Sequence, residues 1–280
     1  MSFRAGLLSE KFRSQLPLYR QHQRLAHAGI RLSRAPLTPW VQRTADLWEP
    51  IYHALLSSIL QRAVLAMDET PLKAGRHEPG TLPRGYCWPL YGEQDAVAFP
   101  CAASRAGAVV REAVGTFGGV LVTDGSTVYE RFAQTVNRRV PAQGWRQTRR
   151  HFVDAKGAAP ALVTPALAFS GALSEQAALS RHRGLAADAQ LVYRAGHAKP
   201  LVAAFFLGLQ RTLTTQVLLP ANPFSQAARY ALEREQALRV FLAYPDVPLD
   251  TNHLEREICW TAVEARSVGI VQSLIASCRL

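Results

Sequence analysis

The sequence predicts an α/β fold, a mixed sheet flanked by helices, and three observations carry that reading. Between residues 63 and 124, short apolar or alternating runs are punctuated by Gly and Pro, the pattern of strands. Before and after them the apolar residues recur at spacings of three and four, the pattern of helices. A helix-length segment separates the third strand-like run from the fourth, as a crossover to a parallel neighbour requires.

In chain order, residues 1–36 are polar and basic with weak helical patterning, and Gly29 is a natural helix stop. The segment "LTPWVQRTADLWEPIYHALLSSILQRA" is a stronger helix. Trp48, Ile51, Leu55 and Ile59 give it one apolar stripe, and Pro50 kinks it or splits it in two. "AVLAMDE", "GYCWPLYG" and "AVAFPCAA" read as three strands of an antiparallel meander. "RAGAVVREAVGTFGG" reads as a three-turn helix stopped by Gly118 and Gly119, and "GVLVTDG" as the next strand, so the order is β-β-β-α-β. From about residue 145 onward the pattern is mostly helical. Asn222 is an N-cap with Pro223 at the first helical position, and "YPDVPLDTNHLEREICW" is a proline-bearing approach to a last helix.

The bulk numbers narrow the function. A chain of 280 residues that is 48% hydrophobic can bury a sizeable core, as one large domain or two small ones. It has no run of about 18 apolar residues, so no membrane span is expected, and no apolar signal core at its start. Cys87, Cys101, Cys259 and Cys278 form no CxxC pair, so reduced cytoplasmic thiols are expected rather than a zinc site. The formal net charge of +11 favours a polyanionic partner such as nucleic acid, and fits a merely solvated basic surface equally well. The excess is clustered. "NRRVPAQGWRQTRRHF" carries Arg138, Arg139, Arg146, Arg149 and Arg150 without an acid, interleaved with Trp145 and Phe152. That mix suits a phosphate-and-base surface. It equally suits an amphipathic helix with an arginine face and its two aromatics in the core.

Two carboxylates stand at matching places. Asp68 ends "VLAM" and Asp124 ends "VLVT", both buried-strand patterns broken by polar residues. At one edge of an open sheet two such acids repel unless a cation lies between them, and hard cations with oxygen ligands are the natural occupants. Each acid taken alone also fits a turn or a helix N-cap. A two-metal nuclease or strand-transfer site needs a further carboxylate, and Glu255 in "DTNHLERE" is the candidate. Its Asn-x-x-Glu spacing is equally that of a capping box with Asn252.

These residues resemble those of the insertion-sequence-66 type of transposase, a member of the wider DDE group, over most of the chain. "LPLYRQHQRLAHAGIRLSR…LTPWV" is similar to the segment before the catalytic domain. "AMDETPLKAGR" and "YCWPLYGEQDAVAFP" are similar to its first strands, and "VLVTDGSTVYERF" to its second acidic strand. "DVPLDTNHLERE" is similar to the segment with the third acid, and "CWTAVEARSVGIVQSLIASCRL" to the last helix.

The resemblance implies an RNase H-like core with a helical insertion between the second and third acids. It implies Mg²⁺-dependent cleavage and joining of DNA at transposon ends, with Mn²⁺ as a substitute. Asp68, Asp124 and Glu255 match the family's catalytic, metal-binding carboxylates. Arg256, beside the third acid, joins the arginine cluster as an expected DNA contact. The expected layout is a basic helical segment over 1–62, the first part of the core over 63–152, the insertion over 153–245 and completing helices over 246–280. The partners are then transposon-end and target DNA, with a homo-oligomer as the active form, in the bacterial cytoplasm and on the nucleoid.

The chain also departs from the family. Gly144 and Gln147 stand where the family has a cysteine and a histidine around Trp145. Ile258 runs straight into Cys259, where the family has roughly a dozen more residues, several of them basic. The expectation is a truncated copy of the central catalytic domain. Two other readings stay open: a remnant that only binds DNA or dimerises, and an RNase H-like nuclease without transposition.

Overall fold

A computed structural model describes residues 2–14, 16–73, 84–92, 96–102, 112, 114–115, 117–125, 139–216 and 218–250. The chain is α/β. Five of the described strands form one mixed sheet and three more form an antiparallel sheet. Two compact units share the chain: one takes in residues 1–62 and 68–116, the other residues 63–67 and 117–253.

The first unit begins with four helices: α1 (Phe3–Phe12), α2 (Leu18–His27), α3 (Leu37–Asp46) and α4 (Glu49–Leu60). Ser2 caps α1 by accepting the Ala5 amide at 3.2 Å. Gly29 follows α2 with φ 82°, the left-handed geometry that ends a helix, as the sequence predicts. Pro50 falls in the first turn of α4, where its missing N–H costs nothing, so it splits the predicted long helix rather than kinking it. The predicted apolar stripe is only partly buried. Ile59 is covered, but Trp48 and Ile51 are exposed. The buried amide of Gln21 donates to the carbonyls of Leu7 and Leu16, tying α2 to α1.

Strands from the three runs of the expected meander lie side by side in the larger sheet, and the last two runs each also give a strand to the smaller one. Strands β2 (Thr70–Lys73), β3 (Arg84–Cys87) and β6 (Cys101–Ala102) form the antiparallel sheet, and β4 (Leu90–Tyr91) pairs with β5 (Val97–Ala98) as an antiparallel part of the five-stranded sheet. Pro89 and Pro100 break the second and third apolar runs in two, because a proline has no N–H for a ladder. At that break the Trp88 amide donates to the Pro100 carbonyl at 2.9 Å. Cys87 is disulfide-bonded, so the expectation of four reduced thiols does not hold. Cys101 is its register partner across β3 and β6. The predicted helix over "RAGAVVREAVGTFGG" lies mostly outside the described residues.

The second unit is built on three parallel strands: β1 (Val64–Met67), β7 (Val120–Thr123) and β8 (Val140–Gln143). Every residue of β1 and β7 is buried, the signature of a parallel strand covered on both faces. β8 carries Pro141 and pairs only on its β7 side among the described strands, which suits an edge. Around them pack α5 (Trp145–Ala155), α6 (Pro160–His182), α7 (Ala187–Tyr193), a π-helical turn (Arg194–Ala198), α8 (Lys199–Thr215), α9 (Pro223–Glu233) and α10 (Glu235–Arg239). Asn222 caps α9 through the Phe224 amide at 2.9 Å, as predicted.

The core here is aromatic. Trp145 meets Phe205 edge-on at 5.2 Å, and Phe152 meets Phe205 at 5.8 Å and Phe224 at 6.0 Å. The Trp145 indole N–H donates to the Leu238 carbonyl at 3.0 Å, which satisfies its one polar atom in the core.

Candidate active site

Asp124 is the first residue beyond β7 and its side chain is exposed. The strand ends there because Gly125 turns the chain with φ 81°, a conformation that a side chain disfavours. The turn is also crowded: a Cβ on Gly125 would lie 2.5 Å from the Gln143 side-chain amide. The Gly125 amide donates to Thr123 Oγ1 at 3.3 Å. Gln143, at the end of β8, is buried and donates from Nε2 to the Tyr230 hydroxyl at 2.8 Å. That hydroxyl donates to the Asp124 backbone carbonyl at 3.4 Å. The His151 ring lies 4.1 Å from the Tyr230 ring, and the Arg234 guanidinium lies 4.1 Å from the same ring. Burial pushes the His151 imidazole below its usual range. The nearby Asp154 opposes that shift, while Arg234 and Arg150 add to it.

Asp68 is the first residue beyond β1 and is half-buried. Its amide donates to the Pro89 carbonyl at 3.4 Å, and its Oδ1 accepts the Glu69 amide at 2.7 Å. β1 and β7 are neighbours in the parallel register Val64↔Val120, Leu65↔Leu121 and Ala66↔Val122. Each acid therefore follows the C-terminal end of its own strand, as the sequence pattern implies. Glu255 and Arg256 lie outside the described residues. Among the described residues no group of three or more His, Cys, Asp or Glu is placed to hold a metal ion. The donor chemistry still suits a hard cation, since both described acids offer carboxylate oxygens.

The arginine cluster divides. Arg138 lies outside the described residues. Arg139 is buried and its Nε donates to the Phe117 carbonyl at 2.8 Å, so this guanidinium holds the chain before β7 to the start of β8. Arg146, Arg149 and Arg150 are exposed on α5, while Trp145, Thr148, Phe152 and Ala155 of the same helix are buried. The helix is amphipathic, with its aromatics in the core and its cations outside. Arg149 also reaches Ser170 Oγ at 3.4 Å.

Sequence reasoning missed Gln143, His151, Tyr230 and Arg234. No local signal marks them, because Gln143 and Tyr230 are 87 residues apart and Tyr230 and Asp124 are 106 apart.

A family model, Transposase IS66 family, matches residues 1–275. The chain is similar to the uncharacterized protein y4jD of Sinorhizobium fredii (strain NBRC 101917 / NGR234), 29% identical over 290 residues, which cover 96% of this chain and 55% of that protein. It is similar to the uncharacterized protein y4qI of the same strain, 24% identical over 271 residues, which cover 91% of this chain and 49% of that protein. The chain thus spans about half the length of these curated relatives. No solved structure matches it. No described helix is long and apolar enough to cross a membrane. With the family model covering nearly its whole length, the chain belongs to the IS66 transposase family.

Proposed function

We propose that the chain is the catalytic part of a DDE transposase, cutting DNA at insertion-sequence ends and joining it to target DNA with Mg²⁺ or Mn²⁺. The observation that carries this reading is the pair of acids, each the first residue beyond one of two neighbouring parallel strands. Asp68 and Asp124 are the first two metal-binding carboxylates, and Glu255 the third. Divalent cations bound there would supply charge stabilisation for an in-line phosphoryl displacement, activating a water or a DNA 3′-hydroxyl. The protein's own part is to hold the carboxylates and to seat the DNA backbone. Arg146, Arg149 and Arg150 give α5 a face for phosphates, and Arg138 and Arg256 are further DNA contacts in this reading. Arg139 is not in that set, since it is spent inside the fold. The active form is a homo-oligomer working on the nucleoid.

A nicking and joining assay on a duplex bearing transposon ends tests this. Cleavage should require Mg²⁺ or Mn²⁺ and should vanish in Asp68→Asn, Asp124→Asn and Glu255→Gln. No cleavage by the wild-type chain, where an intact relative cuts, would sink the enzyme reading and leave a DNA-binding remnant. Hydrolysed ends without a joined product would favour a nuclease.

A further inference from the structure

We infer that Tyr230 and Gln143 are positioning residues for the Asp124 carboxylate, acting through the backbone of the turn that carries it. This rests on Asp124 being a cation ligand. The turn is gripped from two sides. The buried Gln143 amide packs where a Cβ of Gly125 would stand, and its Nε2 donates to the Tyr230 hydroxyl at 2.8 Å. The hydroxyl in turn donates to the Asp124 carbonyl at 3.4 Å. A phenol that accepts one bond and donates one has its O–H direction fixed.

Tyr230 is not placed as a core residue. The buried face of α9 is formed by Phe224, Ser225, Ala227, Ala228 and Ala231, and Tyr230 is only half-buried beside it. His151 and Arg234 both lie against its ring, so the side chain is held rather than loose. The consequence falls on Asp124, whose exposed carboxylate extends from a main chain held by the Tyr230 hydroxyl and packed against Gln143. A ligand presented from a fixed backbone loses less freedom when a cation binds.

The test uses Mn²⁺ alone, titrated into the full chain with free Mn²⁺ followed by electron paramagnetic resonance. Wild type should bind and Asp124→Asn should lose the site. Tyr230→Phe keeps the ring but removes the hydroxyl, and it should weaken Mn²⁺ binding roughly tenfold, the low end for groups that orient a metal ligand. Its melting temperature should stay close to that of wild type. Gln143→Leu fills the same space without the amide and should match it. Tyr193→Phe removes a hydroxyl that bonds Gln176 elsewhere in the unit, and should change nothing. Wild-type affinity in folded Tyr230→Phe or Gln143→Leu, with Asp124→Asn deficient, overturns the positioning role and leaves the metal site standing. No Mn²⁺ binding by wild type, or full binding by Asp124→Asn, overturns both.

Discussion

Replacing Gly119 by alanine should damage the pairing that sets β7 beside β1. Gly119 is not among the glycines with positive φ, so the problem is space alone. A Cβ there falls 2.2 Å from the Ala63 carbonyl oxygen, 2.9 Å from its carbon and 2.8 Å from Phe117 Cζ. Carbon and carbonyl oxygen need about 3.3 Å, so the two chains must part by roughly 1 Å. The same Ala63 oxygen accepts the Val120 amide at 2.9 Å. Parting by that much takes the bond out of range and leaves the amide of the buried Val120 without its acceptor, which costs about 1–3 kcal/mol. The displaced Phe117 ring is also buried, and overpacking of this kind adds about 1–3 kcal/mol. Together these come to about 2–6 kcal/mol, a fall of roughly 5–20 °C in melting temperature for a unit of this size.

Thermal and urea denaturation of the variant measure it. Gly157→Ala, where a Cβ meets nothing within 4 Å, is the control. If Gly119→Ala loses no more stability than that control, the close approach of the two chains at Ala63 is wrong.

Four further outcomes follow from particular side chains. Trp145→Phe deletes the donor to the Leu238 carbonyl and part of a buried ring, and should lower stability by about 1–3 kcal/mol in urea titrations. Asn222→Ala removes the cap on the Phe224 amide and should cost about 1 kcal/mol by the same measurement. Burial lowers the Lys11 ammonium from 10.5 to about 8. The unfolded chain therefore holds that proton to higher pH than the folded one, and stability rises as pH climbs from about 8 to 10.5. Lys11→Met should melt higher than wild type at pH 7, and the gap should close over that window. Replacing Arg146, Arg149 and Arg150 together by glutamine should weaken duplex binding in fluorescence anisotropy. It should also flatten the salt dependence by about 0.9 in log–log slope for each phosphate no longer neutralised. An unchanged slope would remove α5 from the DNA-binding face.

What was legible in the sequence is what depends on neighbours along the chain. "AVLAM" and "GVLVT" announce buried strands because each is apolar throughout, and both are fully covered. The glycine after α2, the proline that starts α4 and the cap at Asn222 act within one turn of where they stand, so their effect needs no tertiary knowledge. The same holds for α5, whose spacing of aromatics and arginines separates a core face from an outer face. Strand β8 was not legible. Its four residues include a proline and a glutamine, and only pairing with β7 makes them a strand.

The sequence by itself determined the class of fold, the family and the two acids at strand ends. All of these are written in local pattern. The tertiary structure decided partnership. It divided the second and third strand-like runs between two sheets at Pro89 and Pro100, each of which lacks an N–H for a ladder. It turned Arg139 inward to the Phe117 carbonyl while leaving Arg146, Arg149 and Arg150 outside. It brought Tyr230 to the turn at Asp124 across 106 residues. No pattern along a chain encodes such a meeting, because it depends on how α9 packs on α5 and where β7 ends.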